Sequence, residues 1–408
     1  DAELGAITKP EVRPYASARN GYTAFREGDV ILAKITPCME NGKAAIPENL
    51  ETGLGFGSTE FHVLRPTKGV LAEFVYHFIR QESYRHVAES EMTGSVGQKR
   101  VPVEFLHRTK LPLPPLVEQK RMVAKIDELL QGNRAARERL RRIPVILKAF
   151  RQTVLAAACS GRLTEDWREK HPNGQGVAAA IEAMRRRRES EATSAAQKEK
   201  IGQIYEYTEE HDSSELPRSW RFVALNKLCA SFDYGTAAKS QPSGRVPVLR
   251  MGNIQNGEIN WTDLVYTSDH EEIRHYSLQL NTVLFNRTNS PELVGKTAIY
   301  RGERPAIFAG YLIRIAHLPE LDPQYLNLCL NTAHAREFCS RVKTDGVSQS
   351  NVNAQKLGTF EVPFCPLTEQ REIVRRVAAL FKLADAIENR LRAASLRADR
   401  LSQAILAK

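Results

Sequence analysis

The residues that could do chemistry at a phosphate lie in the second half of the chain. Gly295-Lys296-Thr297 has the ending of a phosphate-binding loop, in which the lysine contacts nucleotide phosphates and the hydroxyl contacts magnesium. That loop requires a glycine five residues before Gly295, where this chain has Ser290. The matching segment of the first half, Gly42-Lys43-Ala44, lacks the hydroxyl. Both segments are therefore interpreted as turns, and a nucleotide-dependent phosphotransferase is a distinctly unfavoured hypothesis.

Other catalytic and metal-binding patterns are missing from the sequence. The 10 histidines have no metal-ligand spacing, and the 6 cysteines include no Cys-x-x-Cys pair. No G-x-S-x-G turn and no N/D-P-P-Y/F tetrapeptide of amino-methyltransferases occurs. Scattered cysteines are typical of reduced thiols, and no apolar run is long enough to span a bilayer. We therefore predict a cytoplasmic protein without a metal site, and these residues give no indication of catalysis.

The charge of the chain indicates a polyanionic partner. Its 408 residues include 58 lysines and arginines against 48 acidic residues, a formal net charge of +10 with a pI near 9.3. Nucleic acid is the simplest such partner. Many basic proteins bind no nucleic acid, so the charge supports this hypothesis only together with the organisation of the chain.

The chain contains a tandem repeat. Residues 93–123 match residues 344–374 without a gap at an offset of 251, with 11 of 31 positions identical. Two shorter matches precede this one: Asp29–Thr36 with Asn281–Thr288 at an offset of 252, and Gly42–Ile46 with Gly295–Ile299 at 253. Such a duplication predicts two modules of one fold rather than a solenoid, which needs more copies.

Each repeat is followed by an apolar spacing that predicts a long helix. Steps of four and three residues alternate, as in the seam of a coiled coil. The first seam is Met122, Ile126, Leu129, Asn133, Ala136, Leu140, Ile143, Leu147, Phe150 and Val154, and the second is Ile373, Val377, Leu380, Ala384, Ile387, Leu391, Ala394, Ala398, Leu401 and Ile405. Pro144 should kink or interrupt the first helix. We favour pairing of the two seams with each other over packing of each on its own module or on a partner's helix.

The sequence before each seam has the pattern of a mixed α/β module. Val30–Ile35 and Thr282–Phe285 are predicted strands, and Leu71–Val87 and Tyr325–Val342 are predicted helices. Between the halves, residues 164–214 are polar, with a probable helix over Val177–Arg188. The arginines at 185–188 could contact phosphates, but a solvated helix face is the favoured interpretation.

Two glycine-bearing polar loops occupy equivalent places in the repeat, Thr93–Arg100 and Thr344–Asn351. Glycine lets a backbone approach a ligand, and the loops offer hydroxyls, amides and cations of the kind that contact phosphates and base edges. Gln98 and Gln349, shared by both, could each read an adenine through two hydrogen bonds. One such loop would be an ordinary polar turn, but two in a basic protein favour DNA binding.

The full set of candidate DNA-binding residues comes from both modules. In the first they are Lys34, Thr36, Asn41, Lys43, Thr93, Ser95, Gln98, Lys99 and Arg100, and in the second Tyr234, Thr236, Lys239, Arg250, Asn253, Arg287, Thr288, Asn289, Lys296, Ser348, Gln349, Ser350 and Asn351. The alignment at an offset of 252 places Lys34 against Asn286 and Ile35 against Arg287. Two readers with different contact residues would read two different short sequences.

Three features together resemble the specificity subunits of type I restriction–modification enzymes. They are the repeated Pro-Leu-x-Glu-Gln, the segment FRQTVLAAACSGRL at 150–163, and ELPRSW at 215–220. The resemblance covers essentially the whole chain. It implies an α+β protein with two mixed α/β target-recognition domains joined by two long antiparallel helices, a pseudo-twofold intramolecular coiled coil. The predicted segments are recognition domain 1 (1–115), helical region 1 (116–163), a linker (164–214), recognition domain 2 (215–366) and helical region 2 (367–408).

The resemblance also implies partners and excludes a catalytic role for this chain. It implies a subunit that reads a bipartite site in double-stranded DNA and docks two adenine methyltransferase subunits, which ATP-dependent restriction subunits join. No cofactor is expected in this chain; S-adenosylmethionine belongs to the methyltransferase, and ATP and magnesium to the restriction subunit. A recognition scaffold of another DNA-modifying defence system and a scaffold for protein assembly alone are the alternatives.

The repeat is expected to be unequal at its two ends. The second recognition domain starts near Leu216, so its offset puts the expected start of the first domain about 36 residues before Asp1. Gln403–Lys408 aligns with Gln152–Ala157, after which only the first copy continues. The candidate contacts of the first domain are therefore expected to be incomplete.

Overall fold

The computed structural model describes residues 5, 7, 11–18, 21–95, 97–172, 176–346 and 349–407. The chain forms two compact units, residues 1–144 with 388–408, and residues 145–387. Both long helices contribute to both units, because each of them crosses a unit boundary. Among the described residues no single helix is long and apolar enough to cross a membrane, although one bent pair, Leu116–Cys159 with Arg162–Lys170, meets the length and composition criterion jointly.

The first unit is built on a small antiparallel sheet. Its elements are α1 (Tyr15–Ala18), β1 (Thr23–Arg26), β2 (Val30–Ala33), β3 (Ala44–Ala45), β4 (Leu54–Gly57), β5 (Phe61–Leu64), α2 (Ala72–Ile79), α3 (Glu82–Ser90), α4 (Val103–Arg108) and the first part of α5 (Leu116–Cys159). Strand order is β3-β2-β5, and β1 pairs with β4. Val30, Leu32, Met39 and Tyr84 are core residues of this unit.

The second unit has more strands and three helices ahead of them. Its elements are the end of α5, α6 (Glu165–Lys170), α7 (Val177–Glu191), α8 (Ala195–Glu206), β6 (Arg221–Ala224), α9 (Leu225–Leu228), β7 (Cys229–Tyr234), β8 (Val246–Leu249), β9 (Ile254–Gln255), β10 (Gly257–Ile259), β11 (Val265–Thr267), α10 (His270–Tyr276), β12 (Val283–Asn286), β13 (Thr288–Asn289), β14 (Thr297–Ile299), β15 (Ile307–Phe308), β16 (Leu312–His317), α11 (Pro323–Leu330), α12 (Ala333–Val342), β17 (Thr344–Asp345), β18 (Ser350–Asn351), α13 (Ala354–Gly358), β19 (Glu361–Phe364) and the first part of α14 (Leu367–Ala407).

The sheet of the second unit repeats the strand arrangement of the first. Six strands run in the order β7-β16-β12-β14-β10-β9, and their centre, β16-β12-β14, corresponds to β5-β2-β3. In both units the middle strand is antiparallel to its two neighbours. Trp220, Phe285 and Tyr325 are fully buried in the large core of the second unit. The predicted tandem repeat of mixed α/β domains is confirmed.

Each predicted long helix of the recognition domains is instead a pair of short helices. Leu71–Val87 is divided into α2 and α3 at Gln81, and Tyr325–Val342 into α11 and α12 at Thr332, both of which have extended backbone. The Thr332 hydroxyl accepts a hydrogen bond from the Ala335 amide (3.2 Å), which starts a new helix. Periodicity alone missed these breaks because the apolar spacing continues across them.

The segment predicted as a linker is a packed part of the second unit. Residues 164–214 contain α6, α7 and α8, and Met184 of α7 is completely buried in the same core as Trp220. The arginines of α7 are used within the chain: Arg187 pairs with Glu320 at 2.7 Å and Arg188 donates to the Asn226 carbonyl at 2.8 Å. The structure therefore gives these two arginines roles in packing.

The two long helices pair antiparallel, as predicted. In the first unit the Asn133 amide of α5 donates to the Ala398 carbonyl and the Ser402 hydroxyl of α14, both at 2.8 Å. In the second unit Arg151, later in α5, pairs with Asp385, earlier in α14, at 2.8 Å. The coiled coil is thus intramolecular, and a buried polar residue occupies one of its seam positions.

Several details of the predicted seam differ from the structure. α5 is helical through Pro144, so the expected interruption does not occur. Leu129, Ile387 and Leu401 are 43%, 38% and 49% exposed, and Ala136 is exposed, whereas Leu130 and Leu406 are buried. The buried face differs from a strict seam because parts of both helices also pack against a recognition domain, as Val154 and Ile373 do in the second unit.

Candidate nucleic-acid interface

In the first unit, two separate segments of backbone meet beside strand β2. Lys34 donates its amide to the Glu60 carbonyl (3.0 Å) and accepts from the Val101 amide (2.9 Å). Ile35 and Thr93 both form antiparallel bridges with Arg100. We call residues 34–36 with residues 93–95 and 97–100 the first platform. It places seven sequence candidates together: Lys34, Thr36, Thr93, Ser95, Gln98, Lys99 and Arg100.

The second unit builds the same ladder from the second copy of the repeat. Arg287 donates its amide to the Tyr311 carbonyl (3.0 Å) and accepts from the Val352 amide (2.9 Å). Asn351 pairs on one side with Thr288 and on the other with Thr344. We call residues 287–289 with residues 344–346 and 349–351 the second platform. Each hydrogen bond of this ladder has a counterpart in the first platform.

The ladder corrects the alignment of the two strands by one residue. Ile31 pairs with Ala45, and Leu284 pairs with Ala298, so the strands match at an offset of 253 rather than 252. Lys34 therefore corresponds to Arg287, and Ile35 to Thr288; the predicted matches with Asn286 and Arg287 were wrong. A one-residue shift exchanges the faces of every side chain, which matters for any comparison of contacts. Both platforms have a cation at this first position.

The two glutamines that could read adenine are exposed. Gln98 closes its loop by an amide hydrogen bond to the Ser95 carbonyl (2.9 Å), and Gln349 accepts from the Gly346 amide (2.8 Å). Thr93, Ser95 and Lys99 are also exposed. Ser348 lies outside the described residues. The role of these side chains in reading bases stays a prediction.

The cation of the first loop is tied to a carboxylate. Arg100 donates Nε and Nη2 to the two carboxylate oxygens of Glu60, each at 2.9 Å. These side-chain hydrogen bonds lower the pKa of Glu60 and raise the pKa of Arg100, so the pair is charged at neutral pH. Sequence reasoning missed Glu60. Tyr311, the exposed residue beside the second platform that corresponds to Glu60 at the offset of 251, was also missing from the sequence candidates.

In the second platform the cation Arg287 is held against an aromatic ring and not by a carboxylate. The Arg287 guanidinium lies 4.8 Å from the ring centre of Tyr234, and its Nη1 donates to the Gly310 carbonyl at 3.3 Å. The Tyr234 hydroxyl in turn accepts from the Ala354 amide at 3.0 Å. The guanidinium thus rests on an aromatic face, an arrangement that suits planar contacts with phosphates or bases.

The remaining side chains of the second platform are partly used within it. The Asn351 amide donates to the Thr288 hydroxyl at 3.0 Å, and Ser350 bonds to Asp345. Ser350 is completely buried. The Asn289 side-chain oxygen accepts a hydrogen bond from the Ser290 amide at 2.8 Å. Asn351 is half-buried and keeps hydrogen-bonding capacity beyond its bond to Thr288.

Other candidates lie on the strands and turns beside the platforms. Asn41 and Lys43 are exposed ahead of β3, and the Lys43 carbonyl accepts from the Ala33 amide at 2.9 Å. Lys296, the equivalent of Lys43, donates to the Gln255 side chain at 3.1 Å. Lys239 is exposed.

Two candidates have their side chains committed to the fold. Asn253 is 2% exposed and its amide donates to the carbonyls of Asn260 and Thr262. Thr236 is 4% exposed and its hydroxyl accepts from the Ala238 amide. Arg250, half-buried, is bonded to the Asp263 carboxylate at 3.2 Å. We leave Asn253 and Thr236 out of the interface, because a buried and satisfied side chain offers no ligand contact.

The described residues contain no group of three or more His, Cys, Asp or Glu arranged to hold a metal ion. The two segments interpreted as turns lead into strands β3 and β14: the Gly42 amide donates to the Met39 carbonyl at 2.8 Å, and the Gly295 amide to the Asn286 carbonyl at 2.9 Å. The arrangement of both platforms is that of polar and cationic side chains on rigid backbone.

Comparison with known proteins identifies the family. The family model of the type I restriction modification DNA specificity domain matches residues 13–144 and 217–394, which together exceed half of the chain. The chain belongs to this family. The predictions that it is a type I specificity subunit, and a DNA-recognition subunit rather than an enzyme, are thereby confirmed.

Individual specificity subunits are similar over most of the chain. The EcoEI specificity subunit of Escherichia coli is 26% identical over 438 positions, which cover 94% of this chain and 72% of the relative. The EcoKI specificity subunit of Escherichia coli K12 is 28% identical over 351 positions, covering 85% of this chain and 66% of the relative. Such subunits act with DNA and with the other subunits of a restriction–modification complex.

Solved structures share the fold. The HsdS subunit from Thermoanaerobacter tengcongensis covers all of this chain and 87% of its own, with a TM-score of 0.62 and 20% identity. A chain from a structure concerned with complex assembly and conformational transition of the type I R-M system gives a TM-score of 0.71, also at 20% identity, over 100% of this chain and 88% of that one. The predicted fold class, two α/β domains joined by long paired helices, is confirmed.

Proposed function

We propose that this specificity subunit reads a bipartite site in double-stranded DNA, one half-site with each platform. The observation that carries the proposal is the repeated ladder, in which equivalent backbone hydrogen bonds at Lys34 and Arg287 hold platforms with different side chains. A shared frame would dock each recognition domain on DNA in the same way, while Arg100 against Asn351 and Thr36 against Asn289 would select different bases. The half-sites would then be two different short sequences separated by a fixed gap.

The subunit would work with enzymes that it holds in place. Two adenine methyltransferase subunits, using S-adenosylmethionine, would bind its pseudo-twofold frame in the cytoplasm. Restriction subunits, using ATP and magnesium, would join them. The paired helices offer surfaces for this, because exposed apolar side chains remain on them after pairing: Val145 is 71%, Ile146 62%, Leu383 56% and Leu396 60% exposed. Val145 and Ile146 are neighbours in the chain, and contiguous exposed apolar surface marks contacts with partner proteins.

Methylome mapping tests the proposal directly. The complete gene is expressed together with its neighbouring methyltransferase gene, and methylated adenines are located in the genome. A split motif with methylated adenine in each half is expected. A continuous motif would contradict two readers, and no methylation from a folded, assembled complex would favour a recognition scaffold of a different defence system.

Docking on the helices has its own test. Replacing both Val145 and Ile146 with glutamate should reduce co-purification of the methyltransferase at least 10-fold, because two charges would be buried in an apolar contact. Lys120→Glu, an exposed change near the start of the same helix, is the matched control and should leave co-purification intact. Equal retention of the methyltransferase by both variants would place its contact elsewhere.

A further inference from the structure

One position has the same place in both platforms but a different side chain. Arg100 is the central residue of the ladder Ile35–Arg100–Thr93, and Asn351 is the central residue of Thr288–Asn351–Thr344. Because the ladder pairs equivalent residues on both sides of each position, the two side chains start from equivalent points of the frame. A difference in what they bind would therefore come from the side chains themselves and from what orients them.

Arg100 is held in one orientation with part of its guanidinium free. Three of its hydrogen bonds are internal: Nε and Nη2 donate to Glu60, and Nη1 to the Gln98 carbonyl at 2.8 Å. Arginine has five N–H donors, so two of them have no partner among the described residues. The side chain is 41% exposed, so those donors can reach a ligand. One free N–H remains on each terminal nitrogen, and two donors of one guanidinium plane suit the O6 and N7 acceptors of guanine.

The carboxylate of Glu60 argues against a simple role in phosphate binding. A negative charge beside a DNA contact repels the phosphate backbone and lowers overall affinity. It also prevents the guanidinium from swinging toward phosphates, because both of its oxygens are bonded to Arg100. An arginine fixed in this way loses less freedom when it meets a base edge. Glu60 thus acts on selectivity through the orientation of Arg100.

Asn351 is oriented by a different neighbour. Its amide nitrogen donates to the Thr288 hydroxyl at 3.0 Å, and Thr288 itself is only 9% exposed. This leaves the amide oxygen and one N–H, an acceptor beside a donor. That pair matches the N6 amino group and N7 of adenine.

We propose that positions 100 and 351 are the base-reading positions of the two half-sites. Arg100 reads a guanine in the half-site of the first domain, and Asn351 reads an adenine in that of the second. Glu60 and Thr288 are positioning residues that hold these side chains in plane. The inference rests on the proposed function, since it requires two readers on one bipartite site.

The test measures methylation rates of the assembled complex on duplexes that vary one base pair at a time. The wild-type motif should contain a G·C pair in one half-site and an A·T pair in the other that depend on these residues. Arg100→Lys should lower discrimination at the single G·C pair by roughly 5- to 150-fold, the range for one bidentate contact. Asn351→Ala should do the same at one A·T pair. Neither should alter the opposite half-site.

Glu60→Gln separates positioning from structural support. The change removes a negative charge, so total DNA affinity at low salt should rise or stay level. Discrimination at the same G·C pair should fall nevertheless. A variant that merely damaged the fold would lose both. The pair Arg121 and Glu118 in α5 provides the matched control, since it forms a similar two-point ion pair (2.9 and 2.6 Å) in the same unit outside the platform residues; Arg121→Lys and Glu118→Gln should leave the motif unchanged.

The outcomes separate the inference from the function on which it rests. A wild-type motif that is not split contradicts both. A split motif that Arg100→Lys and Asn351→Ala leave unchanged at every position overturns the inference alone. Relaxation of both half-sites by either single variant would also overturn it, because each residue would then act on the whole complex and not on one base pair.

Discussion

The two helix starts, Pro115–Gln119 and Pro366–Gln370, share a sequence motif. The glutamines of the two motifs make equivalent contacts, whereas the glutamates do not. Gln119 is fully buried; its side chain accepts from the Leu71 amide (2.9 Å) and donates to the carbonyls of Gly69 and Pro114. Gln370 makes the same three contacts 251 residues later, with Asp322, Glu320 and Cys365. The glutamine thus fixes each long helix to its own recognition domain.

The neighbouring glutamates have different environments. Glu369 is 1% exposed and accepts from the Trp220 indole (2.9 Å), the Thr164 hydroxyl (2.7 Å) and the Arg168 guanidinium (2.7 Å). The Glu118 side chain is 40% exposed and pairs with Arg121 one turn along its own helix. The comparison teaches that a local motif determines local contacts, such as those of the glutamine, whereas a residue whose partners come from distant segments depends on those segments.

The largest effect is expected for Glu369→Ala. Removing this carboxylate leaves the largely buried Arg168 charge without its counter-ion and the Trp220 N–H without an acceptor, which should lower the free energy of unfolding by about 3–5 kcal/mol. Glu118→Ala is the matched control and should change it by no more than about 0.5 kcal/mol. Denaturant unfolding of the two variants measures both. Similar losses from both would mean that Glu118 also has buried partners.

The glutamines should behave alike. Gln119→Ala and Gln370→Ala each leave one amide and two carbonyls without a partner in a buried site, so each should cost about 2–3 kcal/mol. Hydrogen exchange followed by mass spectrometry locates the loss: faster exchange is expected near Leu71 for the first variant and near Asp322 for the second. A large loss at one site with none at the other would break the equivalence that the contacts indicate.

The smallest effect concerns the turn that opens the central strand. Asp29 accepts from the Arg26 amide and pairs with Arg65, whereas its counterpart at the offset of 253, Thr282, accepts from the Gln279 amide through a neutral hydroxyl. The hydrogen bonds from Arg65 are the main cause that lowers the pKa of Asp29. Its stabilisation is therefore present above the pKa of an unfolded aspartate, about 3.9, and is lost as the pH falls through the lower folded value.

Asp29→Asn tests this difference between the two turns. The variant should be less stable than the wild type at pH 7, by under about 1 kcal/mol because Arg65 is half exposed. As the pH falls below about 4, its stability should decline less than that of the wild type. Thr282→Val, which carries no titrating group, should leave the pH dependence unchanged. If the stability of Asp29→Asn and that of the wild type declined equally as the pH falls, the assignment of this pH dependence to Asp29 would be wrong.

Sequence patterns predicted the repeat, the two long helices and the family, because these depend on spacing within continuous segments. They also predicted the loops around Gln98 and Gln349, since an identical residue recurs at an identical place. They did not predict the breaks at Gln81 and Thr332, where side-chain and backbone capping interrupts an unbroken apolar pattern. Nor did they find Glu60, whose importance comes from Arg100, a residue 40 positions away.

The amino-acid sequence by itself determined that one chain holds two related modules and two seams of matching period. Only the tertiary structure decided which residues of the modules are equivalent, since the pairing of Ile31 with Ala45 and of Leu284 with Ala298 fixes a register that the sequence alignment missed by one residue. The physical reason is that side chains alternate faces along a strand, and hydrogen bonds to distant strands choose between registers that similar sequences leave nearly equal.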